Sequence, residues 1–194
     1  MEKNNRIAIT GPSGVGKTTL AKFISEEYGI EFVSASARDV WPRFGFQNHA
    51  EALSKCLRDP NLGLQYQEHI LINRHKALSA RPVFVTDRSP IDNYAYFLLQ
   101  QGYNSELHNK YMKDLCLKDY DMVDTIIYIT LGEQDEIENN GRRICNMSYQ
   151  RMVDSVIYMV LMEEFGSETL NKELIVIDTW NLASRKEIIR ERLK

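Results

Sequence analysis

The chain has 194 residues, of which 43% are hydrophobic and 26% charged, and its formal net charge is −3. That length holds one α/β domain with a full core and leaves little for a second, so the expectation is a single domain over 1–194. The mildly negative balance lacks the basic surface that neutralises nucleic-acid phosphates, which disfavours non-specific nucleic-acid binding.

Arg6 to Thr10 is a β-branched run that stops at Gly11, and the first strand is expected there. From Lys17 to Tyr28 the pattern is helical, with Leu20, Phe23, Ile24 and Tyr28 on one face and Gly29 at the C-terminal stop. Glu31 to Val33 reads as a short strand. Residues 34–64 are mixed: SASARDVWPRFGF suggests a loop with some helix, and Ala50 to Arg58 a helix. A helix follows over Gln65 to Ala80, then a buried strand over Val83 to Thr86. Pro90 suits the first turn of a helix that runs to about Gln101. Ser105 to Leu117 is helical, Thr125 to Thr130 a fourth strand, and 132–147 a polar segment. Ser148 to Phe165 reads as one long helix, Leu174 to Ile177 as a fifth strand, and Ala183 to Leu193 as a last helix. Five strands alternate with helices and are short, nearly continuous apolar runs. That pattern predicts βαβ units and a mostly parallel sheet covered on both faces.

Cys56, Cys116 and Cys145 are widely spaced and odd in number, with no C-x-x-C pair. They argue against a disulfide framework or a zinc site and for reduced thiols. MEKNNRIAIT lacks the apolar run of a signal peptide, and no window reaches the ~20 apolar residues of a membrane span. The expectation is a soluble, cytoplasmic protein without membrane partners. A strand starting at about residue 6 also suggests that no domain leads it.

The strongest motif is GPSGVGKTT, residues 11–19, which has the form G-x-x-x-x-G-K-[ST] between a strand and a helix. Gly11, Gly14 and Gly16 allow the backbone to aim N–H groups inward, and Ser13, Val15 and Thr19 complete the cradle. Lys17 is expected on the β- and γ-phosphates of ATP and Thr18 on Mg²⁺. A second motif, VFVTDRSP, sets Asp87 at the carboxyl end of a buried strand, where ligands of open α/β sheets bind. Asp87 would hold the metal or its water shell, or accept a proton; Arg88 would bind an acceptor or transferring phosphate. Gly141, Arg142 and Arg143 lie in the 132–147 segment, a candidate lid that would bring an arginine to the moving phosphoryl group. Arg151, further along, is a weaker phosphate candidate.

Together GPSGVGKTTLAK, the arginine-bearing loop after the second strand, DRSPIDNYAY and NNGRR resemble the P-loop nucleoside and nucleotide kinases over most of the chain. The similarity extends to thymidylate and deoxynucleotide kinases, some virus-encoded, and to AAA-type kinases that include nicotinamide riboside kinases. It implies a five-stranded parallel sheet in the order 2-3-1-4-5, with ATP, Mg²⁺ and an arginine lid. It also implies an acceptor site over the sheet's carboxyl edge. Homodimers occur among such kinases, and the 105–117 and 148–165 helices offer surfaces for one.

The chain departs from this pattern after the second strand. Riboside and deoxynucleoside kinases commonly carry an acid there, whereas EFVSASARDV offers Ser34, Ser36 and Arg38. A sugar hydroxyl benefits from a general base; a phosphate acceptor is already an anion and needs positive charge. The reading therefore leans to a (deoxy)nucleoside 5′-monophosphate held by Arg38 and Arg88. Asp39 or Asp87 as a base for a nucleoside or nicotinamide riboside is the alternative. Trp41, Phe44 and Phe46 either stack on the acceptor base or pack as core. Gln67 or Gln65 could pair with a base edge, Tyr66 could stack, and Tyr94 and Tyr96 could line the pocket. Trp180 with Asn181, after the fifth strand, is a candidate adenine contact. A GTPase switch is disfavoured, because D-x-x-G and N-K-x-D are missing; a P-loop ATPase acting on nucleic acid remains the non-kinase alternative.

Overall fold

A computed structural model describes residues 6–34, 36–100, 105–133, 137 and 144–193. In chain order the elements are β1 (Arg6–Thr10), α1 (Lys17–Tyr28), β2 (Phe32–Val33), a 3₁₀ turn (Ala37–Val40), α2 (Trp41–Phe44), α3 (His49–Arg58), α4 (Pro60–Ser79) and β3 (Phe84–Thr86). There follow α5 (Pro90–Gln100), α6 (Glu106–Tyr120), β4 (Thr125–Ile129), α7 (Met147–Met159), a π-helical turn (Val160–Glu164), α8 (Gly166–Thr169), β5 (Glu173–Ile177) and α9 (Leu182–Arg192).

The strands form a parallel sheet in the order β2-β3-β1-β4-β5. Alternation of side chains along a strand divides the core. Ala8, Ile126 and Tyr128 face α5, α6 and α7, with Tyr94, Phe97, Met112, Tyr120 and Phe165 packed against them. Ile7, Ile9, Ile127, Ile129 and Ile175 face α1 and α9, where Leu20, Phe23, Ile24 and Ile189 close the other layer. Each large apolar side chain buried this way contributes about 1.5–3 kcal/mol. The register Ala8↔Thr86 and Thr10↔Tyr128 brings the carboxyl ends of β1, β3 and β4 together, and the site is built on that edge.

Three element expectations need correction. α4 starts at Pro60, not Gln65: Asp59 Oδ1 accepts from Asn61 and Leu62 N–H, both at 3.1 Å, and Pro60 fills the first turn. α6 runs on to Tyr120, whose ring is fully buried. The helix expected over 148–165 widens at its end, where Phe165 N–H donates to Val160 O at 2.9 Å. The helix expected within SASARDVWPRFGF is a 3₁₀ turn, capped by Ser36 Oγ, that passes into α2.

Candidate active site

β1 delivers Gly11 against the end of β4. Its φ is 142°, and an added Cβ would lie 2.2 Å from Ile129 O, so no other residue fits without moving backbone. Gly16, at φ 87°, precedes α1 without a side-chain cap, and the first turn of α1 holds no acid. Those N–H groups are left for an anion. Lys17 is 5% exposed and folds over the loop, donating from Nζ to Gly11 O at 2.5 Å and to Pro12 O. Side chains from three helices grip the loop from outside. Asp92 of α5 accepts from Gly11 N–H at 3.4 Å, and Gln150 of α7 accepts from Ser13 N–H at 3.1 Å. Arg185 of α9 donates to Val15 O while its guanidinium lies 4.9 Å from the Trp180 ring centre.

β3 delivers Asp87, which is 8% exposed. Its Oδ2 accepts from Thr18 Oγ1 at 2.5 Å, so the loop threonine and the strand-end carboxylate meet. Asp87 Oδ1 is buried with no hydrogen-bond partner among the described residues. A hydroxyl beside a carboxylate with unmet capacity is the oxygen donor set that a hard divalent cation takes.

Beside the loop opens a cleft. Its floor is a hydrogen-bonded chain of amides: Asn93 Nδ2 donates to Gln67 Oε1 at 3.1 Å, and Gln67 Nε2 to Gln100 Oε1 at 3.1 Å. Arg74, 1% exposed, donates to Asn93 Oδ1, and its Nε and Nη1 are buried without partners among the described residues. Burial works against its charge, partly offset by Asp119 and Asp92. Trp41 and Tyr66 form one wall, the indole N–H donating to the Tyr66 hydroxyl at 2.9 Å. Arg38, Arg88 and His49 add basic groups to the lining. Burial pushes the His49 imidazole down to about 4, helped by Arg88 and Arg38. Burial also opposes the Arg88 charge, but Asp92, Tyr96 and Asp87 outweigh it and hold its pKa up.

The cleft gathers Ser36, Arg38, Trp41, Tyr66, Gln67 and Arg88, the residues named for the acceptor, together with Ser13 of the phosphate loop. It does not gather Tyr94, which stacks on Phe97 and Phe165 in the core; Tyr96, two residues on, lines the cleft instead. Phe44 packs on Phe46, Tyr66 and His69 as core under the loop. Arg151 is exposed on α7 and does not line the cleft. Asn181 spends its amide capping α9, and the Trp180 indole N–H donates to Leu131 O at 2.9 Å, so only the indole ring is left for a base. Gly141, Arg142 and Arg143 lie outside the described residues. Contributors that escaped the sequence reading include His49, Asp92, Asn93, Gln100, Gln150 and Arg185. DRSPIDN held a signal for two of them, since Asp92 and Asn93 fall on the first turn of α5 beside Asp87 and Arg88.

A parallel sheet whose first strand feeds a glycine-rich loop, a lysine and a threonine facing a strand-end aspartate defines the P-loop nucleotide-binding class. Residues 6–123 match the family described as an AAA domain (AAA_28), and the chain belongs to that family. No curated protein matches it. Among solved structures, the NadR protein in complex with NAD and AMP-PNP is similar at a TM-score of 0.67 and 14% identity, over 97% of this chain and 49% of that one. NadR in complex with NR gives a TM-score of 0.64 at 15% identity, over 97% and 51%. Deoxyadenosine kinase from M. mycoides with bound dCTP gives 0.64 at 18% identity, over 96% and 97%. The chain thus spans about half of the NadR structures and nearly all of the deoxyadenosine kinase. Its fold is that of a P-loop nucleoside or nucleotide kinase. Among the described residues, no helix is long and apolar enough to cross a membrane.

Proposed function

We propose that the protein transfers the γ-phosphoryl group of ATP to the phosphate of a (deoxy)nucleoside 5′-monophosphate, giving the diphosphate and ADP. The observation that carries this is the charge balance of the cleft. Arg38 and Arg88 lie on its lining, and the carboxylate described there, Asp92, accepts from Gly11 and Ser89; Asp87 lies off the lining, bound to Thr18 through one oxygen with the other open to a metal. Asp39 is exposed and is not part of the lining. A phosphate oxygen needs no base. It attacks the γ-phosphorus, the bond to the β,γ-bridging oxygen breaks, and the electron pair leaves on ADP.

In this scheme the 11–19 loop and Lys17 hold the donor phosphates, and the Trp180 ring offers a face to adenine. Thr18 and Asp87 would hold Mg²⁺, which when bound neutralises charge on the donor phosphates. Arg38 and Arg88 hold the acceptor phosphate. The Asn93–Gln67–Gln100 chain and the unpartnered N–H groups of Arg74 read the base edge, because a buried polar site rejects a ligand that leaves it unpaired. Arg142 and Arg143 stay in the proposal as sequence-based candidates for the moving phosphoryl group.

A second reading, phosphorylation of a nucleoside hydroxyl, draws support from the neighbours named deoxyadenosine kinase and NadR in complex with NR. Coupled ADP detection with Mg·ATP against nucleosides and their 5′-monophosphates separates the two. Turnover is expected with monophosphates alone, and Arg38→Ala should raise the acceptor KM far more than the ATP KM. Turnover confined to unphosphorylated ribosides would reject the monophosphate reading.

A further inference from the structure

Asp92 is 2% exposed and lies between the two half-sites. Its Oδ2 accepts from Ser89 N–H at 2.7 Å and from Ser89 Oγ at 3.0 Å. Its Oδ1 is shared: Gly11 N–H lies at 3.4 Å and Arg88 Nη1 at 3.8 Å. One oxygen thus touches the first glycine of the phosphate loop and the arginine that lines the acceptor cleft. A buried carboxylate between two anion sites repels both substrates, so its effect on binding depends on which cation neutralises it at each stage. Both contacts of Oδ1 are long, one for a hydrogen bond and one for an ion pair, so neither is fully made in this arrangement.

We propose that Asp92 is a positioning residue that couples the donor and acceptor sites through Gly11 and Arg88. The proposal rests on the reading of Arg88 as an acceptor contact. An acceptor that engages Arg88 draws the guanidinium away from Oδ1. That oxygen then closes on the Gly11 N–H and firms the loop for the triphosphate. Linkage makes the effect reciprocal: the donor tightens acceptor binding by the same factor. Arg74, the other cation whose charge Asp92 supports, lies at the cleft floor and remains to balance the carboxylate when Arg88 turns to the acceptor.

The test is a ratio. The Kd of Mg·AMP-PNP is measured by calorimetry with and without the panel compound that gives the highest turnover, supplied at a concentration that saturates each variant by its own acceptor Kd. In the wild type the acceptor should tighten AMP-PNP about fivefold or more. Asp92→Asn removes the charge but leaves Ser89 N–H short of an acceptor, so its melting temperature should fall. Arg88→Gln cuts the same link with the Ser89 contacts intact, and it decides the matter if the Asn variant does not fold. In both variants the ratio should fall to near one. Purely structural damage would weaken both Kd values together and preserve the ratio. A wild-type ratio near one, or a full ratio kept in either variant, overturns the proposal. If only ribosides turn over, the monophosphate reading fails, while the ratio measured with the riboside still decides the role of Asp92.

Discussion

The donor loop and the acceptor cleft lie side by side, yet they are built by opposite means. The loop is nine consecutive residues whose binding groups are mostly backbone N–H, aimed by three glycines at positive φ. The cleft is assembled from side chains spread from Ser13 to Gln100, on the phosphate loop, the 3₁₀ turn, α2, α3, α4, α5 and the β3–α5 connection. A triphosphate tail is the same in every nucleotide, so a backbone cradle suffices to hold it. An acceptor must be distinguished from near-identical ones, and that takes buried side-chain donors and acceptors in a fixed pattern. Damage to the first region should therefore fall on turnover as a whole, and damage to the second on acceptor choice.

The largest effect expected is at Lys17. Lys17→Met should lower kcat by about 10²–10³-fold, as loss of a charge-stabilising donor does elsewhere, with the melting temperature nearly unchanged. Near-normal turnover in the coupled assay would remove the donor site from its place in the scheme. Gly11→Ala comes next, because its Cβ would meet Ile129 O at 2.2 Å and the loop must shift. A displacement of that kind should cost about 10²-fold in kcat/KM for ATP and lower the melting temperature. An active variant with an unchanged melting curve would show that the loop can relax.

Gln67→Leu tests the other side of the contrast. It strands the amides of Asn93 and Gln100, and the acceptor KM should rise roughly tenfold while the ATP KM stays within about twofold. Equal loss on both substrates would erase the distinction between the regions. The smallest effect concerns the cleft's positive charge without ligand. The His49 pKa of about 4 lies below its ordinary 6.5, so between these values the unfolded chain binds a proton that the folded chain refuses. Any stability that His49 contributes is fully present above 6.5 and is lost as the pH falls towards 4. In urea titrations the wild type should lose about 2 kcal/mol more than His49→Asn between pH 7 and pH 5. Parallel losses in the two proteins would mean that His49 is not held neutral.

What the sequence determined alone follows the same division. The parallel sheet and the loop were legible because each depends on contiguous pattern: apolar strands, helical periodicity, glycines at fixed spacing; the strand order came only from the resemblance to P-loop kinases. Asp87 was legible because a strand end beside that loop has one geometric destination, and the 2.5 Å contact with Thr18 is that destination. The cleft was legible only residue by residue. Trp41, Tyr66 and Gln67 were named on chemistry, yet so were Phe44 and Tyr94, which are equally aromatic and pack elsewhere. Nothing local separates Tyr94 from Tyr96: both lie on α5, and only the packing of Phe97 and Phe165 turns the first into the core. Asp92, Asn93 and Gln150 owe their roles to partners far along the chain, Gln150 to Ser13 at a separation of 137 residues. Contacts of that range are set by how the layers close over the sheet, and no pattern within a few residues encodes them.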